Sequence, residues 1–381
     1  MIDSKRRLPF ANEMFFPAAA LYGAFAASAW VIGLPSDMGC LPGLCTPAGH
    51  AHEMLFGYAL AVVTGFLLGP QPRWIAVILL LLWIGSRVTF LSWPGSWAAV
   101  VLTALFALGL CVTVIPRFAH SAKKWRNRSV VWIIAAIAVA SIVSAAAHPP
   151  HLLTRSVQMV TLILLAGLMF FMGGRILAPA VGGHATRSGR RLDNRVQPTI
   201  EGAVLLCLLA ALAGVLLTPH LPVDLTGIAL IGAAGLTAVR LIRWRLWYCT
   251  DRPDLLVLAL GYGWLAVGMG MLGATRFAVS PLPVGIHSLT IGALGTLTVT
   301  VMGRTRLLYR FRDANLAPEA HLAGLLMSGS ALARIGWSSG LSLFGGDLLV
   351  LSAALWVLSC LLILTTLIRT LDVFPVADPE T

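Results

Sequence analysis

A succession of about twelve apolar runs constrains this chain more than any other feature. They cover residues 14–33, 52–69, 73–91, 97–116, 130–147, 156–178, 199–218, 224–243, 255–273, 284–303, 319–338 and 347–368. Each is near the 17–25 residues that a helix needs to cross a hydrocarbon core of about 30 Å. Lipid offers no partners for backbone N–H and C=O groups, so a spanning segment of this length has to be helical. Only 11% of the 381 residues are charged and 58% are hydrophobic. A soluble chain would carry about a quarter charged residues. The expected fold is all-α, a polytopic membrane protein of about twelve transmembrane helices. Residues 1–381 are read as one transmembrane helical domain. The narrowest break is Pro70-Gln71-Pro72, between the second and third runs.

Charge orients the spans. With the N-terminus in the cytoplasm, all but four of the 27 Lys and Arg residues fall on the cytoplasmic side. The four are Arg87, Arg155, Arg276 and Arg334. This is a strong positive-inside bias, and it places both termini in the cytoplasm. It also accounts for the net charge of +12. The basic loops thus read as topology signals in contact with anionic lipid. No nucleic-acid motif accompanies them, so nucleic acid is not an expected partner. The lipid bilayer is. No short apolar segment with a small-residue cleavage site opens the chain, so the first run is expected to stay as an anchor.

The polar residues then sort by face. His50, His52, His148, His151, His220 and His287 fall on the outer side, whereas His120, His184 and His321 fall inside. Glu53, Arg87 and Arg334 lie within spans, toward their outer ends. Ionisable groups at membrane depth cost roughly 2.5–3.5 kcal/mol each on insertion scales, and they tend to mark function. Imidazoles, a carboxylate and guanidinium groups on one face suit a metal centre, or a haem with its paired propionates. The bland alternative is that each residue sits at a helix end and snorkels separately. His50 and His52 are two apart, and on a regular helix such positions point about 200° apart. Either His50 precedes the helix or the two serve different centres.

Gly285, Ser288, Gly292, Gly295 and Thr296 form a small-residue stripe beside His287. Close helix packing explains such a stripe more often than a flat cofactor does. Cys40 and Cys45 share the first outer loop and can pair in an oxidising compartment, or remain free, or bind copper. No C-x-x-C-H motif is present, so any haem is non-covalent. Phosphate-binding loops, dinucleotide fingerprints and nucleophile elbows are also absent from the sequence.

His50-Ala-His52-Glu53-Met54-Leu-Phe-Gly57-Tyr, then Gly173-Gly174-Arg175, then His287-Ser-Leu-Thr290-Ile-Gly292-Ala-Leu-Gly295 and Met302-x-Arg304 resemble the NnrS family of bacterial membrane proteins. The likeness runs over nearly the whole chain. The aromatic-rich segment usual after Gly-Gly-Arg reads Ile176-Leu-Ala-Pro-Ala here. The resemblance implies a haem- and copper-containing protein of the bacterial cytoplasmic membrane, linked to nitric oxide and denitrification. The implied cofactors are a non-covalent haem b and, as a second metal, copper. Nitric oxide is the implied ligand or substrate, and quinol or another membrane donor would supply electrons for its reduction.

On that reading His52 and His287 are the first axial-ligand candidates. His50 follows, with His148 and His151 in reserve as metal ligands. Glu53 is the candidate for hydrogen bonding a ligand imidazole or carrying protons in catalysis. Arg87 and Arg334 would pair with propionates. Two other readings stand beside it: a multi-span transporter, which should show polar groups at the midplane, and a haem-binding sensor or assembly factor without turnover. The topology is tested by reporter fusions. Those between His120 and Arg128 and between Arg187 and Arg195 are expected to read cytoplasmic, and one between Cys40 and Cys45 periplasmic.

Overall fold

The computed structural model describes residues 10–33, 40–120, 125–147, 152–217, 224–342 and 347–371. His148, His151 and His220 lie outside the described residues. The described residues form twelve long helices. They are α1 (Asn12–Gly33), α2 (Pro47–Leu68), α3 (Arg73–Ser92), α4 (Trp97–His120), α5 (Trp125–Ala146) and α6 (Leu152–Arg187). The second half adds α7 (Pro198–Leu217), α8 (Leu225–Arg243), α9 (Pro253–Ala274), α10 (Leu282–Phe311), α11 (Pro318–Ser338) and α12 (Leu348–Arg369). Eleven are long and apolar enough to cross a membrane. The other is α11, whose 21 residues include His321, Arg334 and several Gly and Ser.

Three helices are innermost. In their most apolar stretches 78% of α2, 78% of α6 and 72% of α10 are buried, against 33% of α3, α4 and α7. The outer helices present residues such as Leu81, Val112, Leu206 and Ile242 to lipid. The inner helices touch one another and are each packed against their chain neighbours. Small residues allow this close approach. A Cβ on Gly292 would lie 2.6 Å from the Trp264 ring of α9, and one on Gly285 would lie 2.7 Å from the Leu272 backbone. On the same helix, Gly295 faces Met327 of α11 and Trp356 of α12. The stripe beside His287 is therefore filled by protein.

The helix α6 outruns the apolar run over 156–178: the Gly173-Gly174-Arg175 element lies inside it, and it continues through Pro179 to Arg187. Its added turns bury Val181 and Ala185, and His184 reaches the Tyr248 carbonyl at 3.2 Å. At 36 residues the helix spans about 54 Å, well beyond the hydrocarbon core. The narrow break between α2 and α3, in contrast, falls where the prolines put it. Gly69 adopts φ +59°, and Arg117 of α4 donates to the Leu68 and Pro70 carbonyls left open at the end of α2.

Two inner helices are irregular in the same way. After one and a half turns of α-helix, α2 widens to a π-helical stretch over Glu53–Ala59, and α10 does so over Ser288–Gly295. His52 and His287 are the last residues before each stretch. Such insertions are frequent at functional sites.

The α9–α10 contact gives a test. Gly292→Val forces the Trp264 ring aside and is expected to destabilise the protein by about 1–3 kcal/mol, the usual cost of overpacking. A Cβ on Gly235 would meet no atom within 4 Å, so Gly235→Ala should leave thermal melting in detergent unchanged.

Candidate functional site

The outer end of α2 is built by local rules. Thr46 caps the helix, its hydroxyl accepting from the Gly49 N–H at 3.0 Å, and Pro47 takes the first helical position. His50 is thus already helical, and its ring and that of His52 point to opposite sides. The His50 ring stacks on Trp30 of α1, centroids 4.7 Å apart, and its buried Nδ1 has no hydrogen-bond partner. His52 is buried against Phe90 of α3 at 3.8 Å, with Nδ1 2.9 Å from the Ser144 hydroxyl of α5.

His287 immediately precedes the π-helical part of α10. Its Nδ1 lies 2.6 Å from the Pro283 carbonyl. A carbonyl only accepts, so Nδ1 carries the proton, and a neutral ring keeps its lone pair at Nε2. His50, His287 and Arg334 are within electrostatic reach of one another. Arg334 donates to the Ser338 hydroxyl at 3.3 Å and lies 4.5 Å over the Trp337 ring. Among the described residues it makes no ion pair; Asp347, at the start of α12, acts on it from farther away.

The sequence points to a pairing of His52 with His287; in the structure it is His50 that lies within electrostatic reach of His287, while His52 packs against Phe90 and Ser144. One helical turn holds both α2 histidines, and their spacing sends His52 toward α3 and α5. Arg87, expected to meet a propionate, has a carboxylate of its own. Its Nη1 donates to Glu53 Oε1 at 2.8 Å, both groups being buried. Tyr22 of α1 donates to the other oxygen of Glu53. Gly57 leaves the room, since a Cβ there would lie 2.5 Å from the Tyr22 ring and 3.0 Å from Glu53. Glu53 and Arg87 therefore join α1, α2 and α3, and Arg334, which makes no ion pair among the described residues, is open to an anion.

Other placements follow. Cys40 and Cys45 are joined by a disulfide, five residues before His50. His184 and His321 lie at the opposite end, His184 beside Asp251 at 3.0 Å. Among the described residues no group of three His, Cys, Asp or Glu side chains is arranged to hold a metal ion. A cavity of about 220 Å³, lined by Leu307, Phe311, Glu319 and Arg369, lies at the inner ends of α10–α12, remote from His50, His52 and His287. Sequence reasoning misses Trp30, Tyr22, Ser144 and Gln158. Gln158 of α6 donates to the Ala48 carbonyl at 2.8 Å. Its position inside an apolar run is the available signal.

Twelve long helices with an imidazole–guanidinium cluster at one end define a multi-span membrane protein with a candidate ligand site at that end of the bundle. A family model described as NnrS protein matches residues 7–372, nearly the whole chain, and the chain belongs to the NnrS family. No curated protein and no solved structure matches it.

Glu53 and Arg87 provide a double-mutant test. Removing one member of a buried pair strands the other charge and costs about 3–5 kcal/mol, while replacing both is far milder. Arg87→Met and Glu53→Ala are each expected to lower thermal stability strongly, and Glu53→Gln combined with Arg87→Met to recover most of the loss.

Proposed function

We propose that this protein is a haem-binding protein of the bacterial cytoplasmic membrane that takes nitric oxide as its ligand or substrate. The observation behind this reading is that His50, His287 and Arg334 lie within electrostatic reach of one another toward one end of the bundle. The donor chemistry fits. His50 offers a buried nitrogen with no partner, and His287 offers Nε2 with its ring orientation fixed through Nδ1. Arg334 suits a propionate or a small anion. The glycine stripe of α10 is filled by Leu272 and Trp264, so it offers no face to a macrocycle. The imidazoles and Arg334 are the residues that would hold the group. When bound, haem b supplies an iron that binds nitric oxide and exchanges electrons. Copper is the second metal in this reading.

The chain's own residues support the chemistry in distinct ways. Trp30 orients His50 by stacking and shields it from lipid. Glu53, held by Arg87 and Tyr22, fixes the helix immediately after the histidines. Reduction of nitric oxide would draw electrons from a membrane donor such as quinol. A transporter should carry its polar groups at the midplane, near broken helices. This cluster lies at the helix ends, which favours ligand binding.

Absorption spectroscopy tests the reading. Protein from haem-replete cells should show a b-type spectrum that changes on reduction and on addition of nitric oxide. His50→Ala and His287→Ala should lose the haem or change its spin state, whereas His52→Ala and His184→Ala should keep it. Spectrally normal haem in both His50→Ala and His287→Ala would sink the assignment.

A further inference from the structure

The helix packing repeats every four helices. The first helix of each set packs on the second in α1–α2, α5–α6 and α9–α10. The third packs on the fourth in α3–α4, α7–α8 and α11–α12. The fourth packs on the first of the next set in α4–α5 and α8–α9, and α12 closes the ring on α1. The second helices, α2, α6 and α10, are the innermost three and touch one another. An even repeat keeps them parallel, so the sets are related by rotation about an axis along the membrane normal.

Side chains repeat with the packing. At the inner end of each set, an acceptor near the start of the third helix meets an arginine near the end of the fourth. Glu201 pairs with Arg240 at 2.6 Å, and Glu319 with Arg369 at 2.7 Å. Gln71, with its amide oxygen turned toward α4, accepts from Arg117 at 2.9 and 3.1 Å. At the outer end the sets diverge. Arg87 stands sixteen residues after Gln71, and Arg334 fifteen after Glu319; the matching positions after Glu201 hold Leu216 and Leu217. The inner helices carry a second marker, Gly174-Arg175 in α6 and Gly303-Arg304 in α10. His287 stands seventeen residues before Arg304, and Gln158 stands seventeen before Arg175. Gln158 also touches the turn that bears His50, through the Ala48 carbonyl.

We propose that the chain is a threefold repeat of a four-helix unit, and that Gln158 is the third arm of the outer site. It stands at the outer end of α6 as His287 does at that of α10, offset by the π-helical residue that α6 lacks, and positions His50 through the Ala48 carbonyl. The first and third units keep an imidazole and a guanidinium at the outer end, while the middle unit has an amide and apolar residues in their place. This rests on the reading that His50 and His287 face one ligand, but it does not depend on that ligand being haem.

The test uses full-length, haem-free protein in detergent with Co²⁺ as the probe, read by its visible absorption. Gln158→His supplies a third imidazole and should bind Co²⁺ at least about tenfold tighter than the wild type. Gln158→Leu loses the bond to Ala48 and should bind about 10–100-fold more weakly, as expected when an outer-shell partner is removed. The gain in Gln158→His should vanish when His50→Ala or His287→Ala is added. Unchanged affinity in Gln158→His, or a gain that survives both alanine substitutions, overturns the repeat assignment. Unchanged affinity in Gln158→Leu overturns the positioning role. Haem content measured in parallel separates the two readings, because a Co²⁺ response without any haem leaves the repeat standing and removes the haem function.

Discussion

A guanidinium group inside a bilayer needs acceptors, and lipid has none. Much of this architecture follows from how the protein supplies them. Arg87 takes Glu53, Arg240 takes Glu201 with the Phe170 carbonyl and the Tyr262 hydroxyl, and Arg304 takes Asp254. Arg306 reaches Asn12 and Glu13 on α1 and the Thr370 carbonyl past α12. The first three tie helices that follow one another in the chain, and Arg306 ties α10 to α1 and to the end of α12. Such pairs add little net stability, because desolvation offsets most of the Coulomb attraction. What they do is forbid alternatives, since any packing that separates them leaves a bare charge in a medium of low dielectric constant. Apolar helices slide past one another at little cost, and helices tied at fixed atoms do not.

Arg334 departs from that pattern, and the departure gives the outer site its character. It has a hydroxyl, an aromatic face and a distant carboxylate, but no ion pair among the described residues. Beside it sit a buried imidazole nitrogen without a partner and a second imidazole held in one tautomer. Elsewhere the bundle satisfies most of its charged groups with one another. At this end it leaves two imidazoles and a guanidinium within electrostatic reach of one another, with no ion pair among the described residues.

The spans are legible in the sequence because length and hydropathy are local properties. Even the narrow turn at Pro70-Gln71-Pro72 is, since proline and glycine act on their own backbone. The face shared by His50, His52 and His287 is also readable, as it needs only parity of spans and charge counting. The pairing is not. Whether His50 or His52 meets His287 depends on the rotation of α2, and a π-helical stretch leaves no mark in composition. Arg87 misleads for a related reason. Its partner, Glu53, lies 34 positions away on another helix, and nothing in either neighbourhood announces the contact. The length of α6 is hidden by Pro179, which usually stops a helix but here lies in a stretch supported by packing at Val181 and Ala185.

The π-helical stretches of α2 and α10 bear on how such a protein changes over time. One extra residue in a helix turns everything beyond it by about 100° while leaving the other portion where it was. In both helices the turned portion is the short outer segment that carries the histidines, and the retained portion is the long inner segment tied to neighbouring helices. Insertion therefore offers a route to new ligand geometry that substitution does not, because a side chain already present is re-aimed as a whole. The outer segments are free to explore while the buried pairs below them hold the bundle constant.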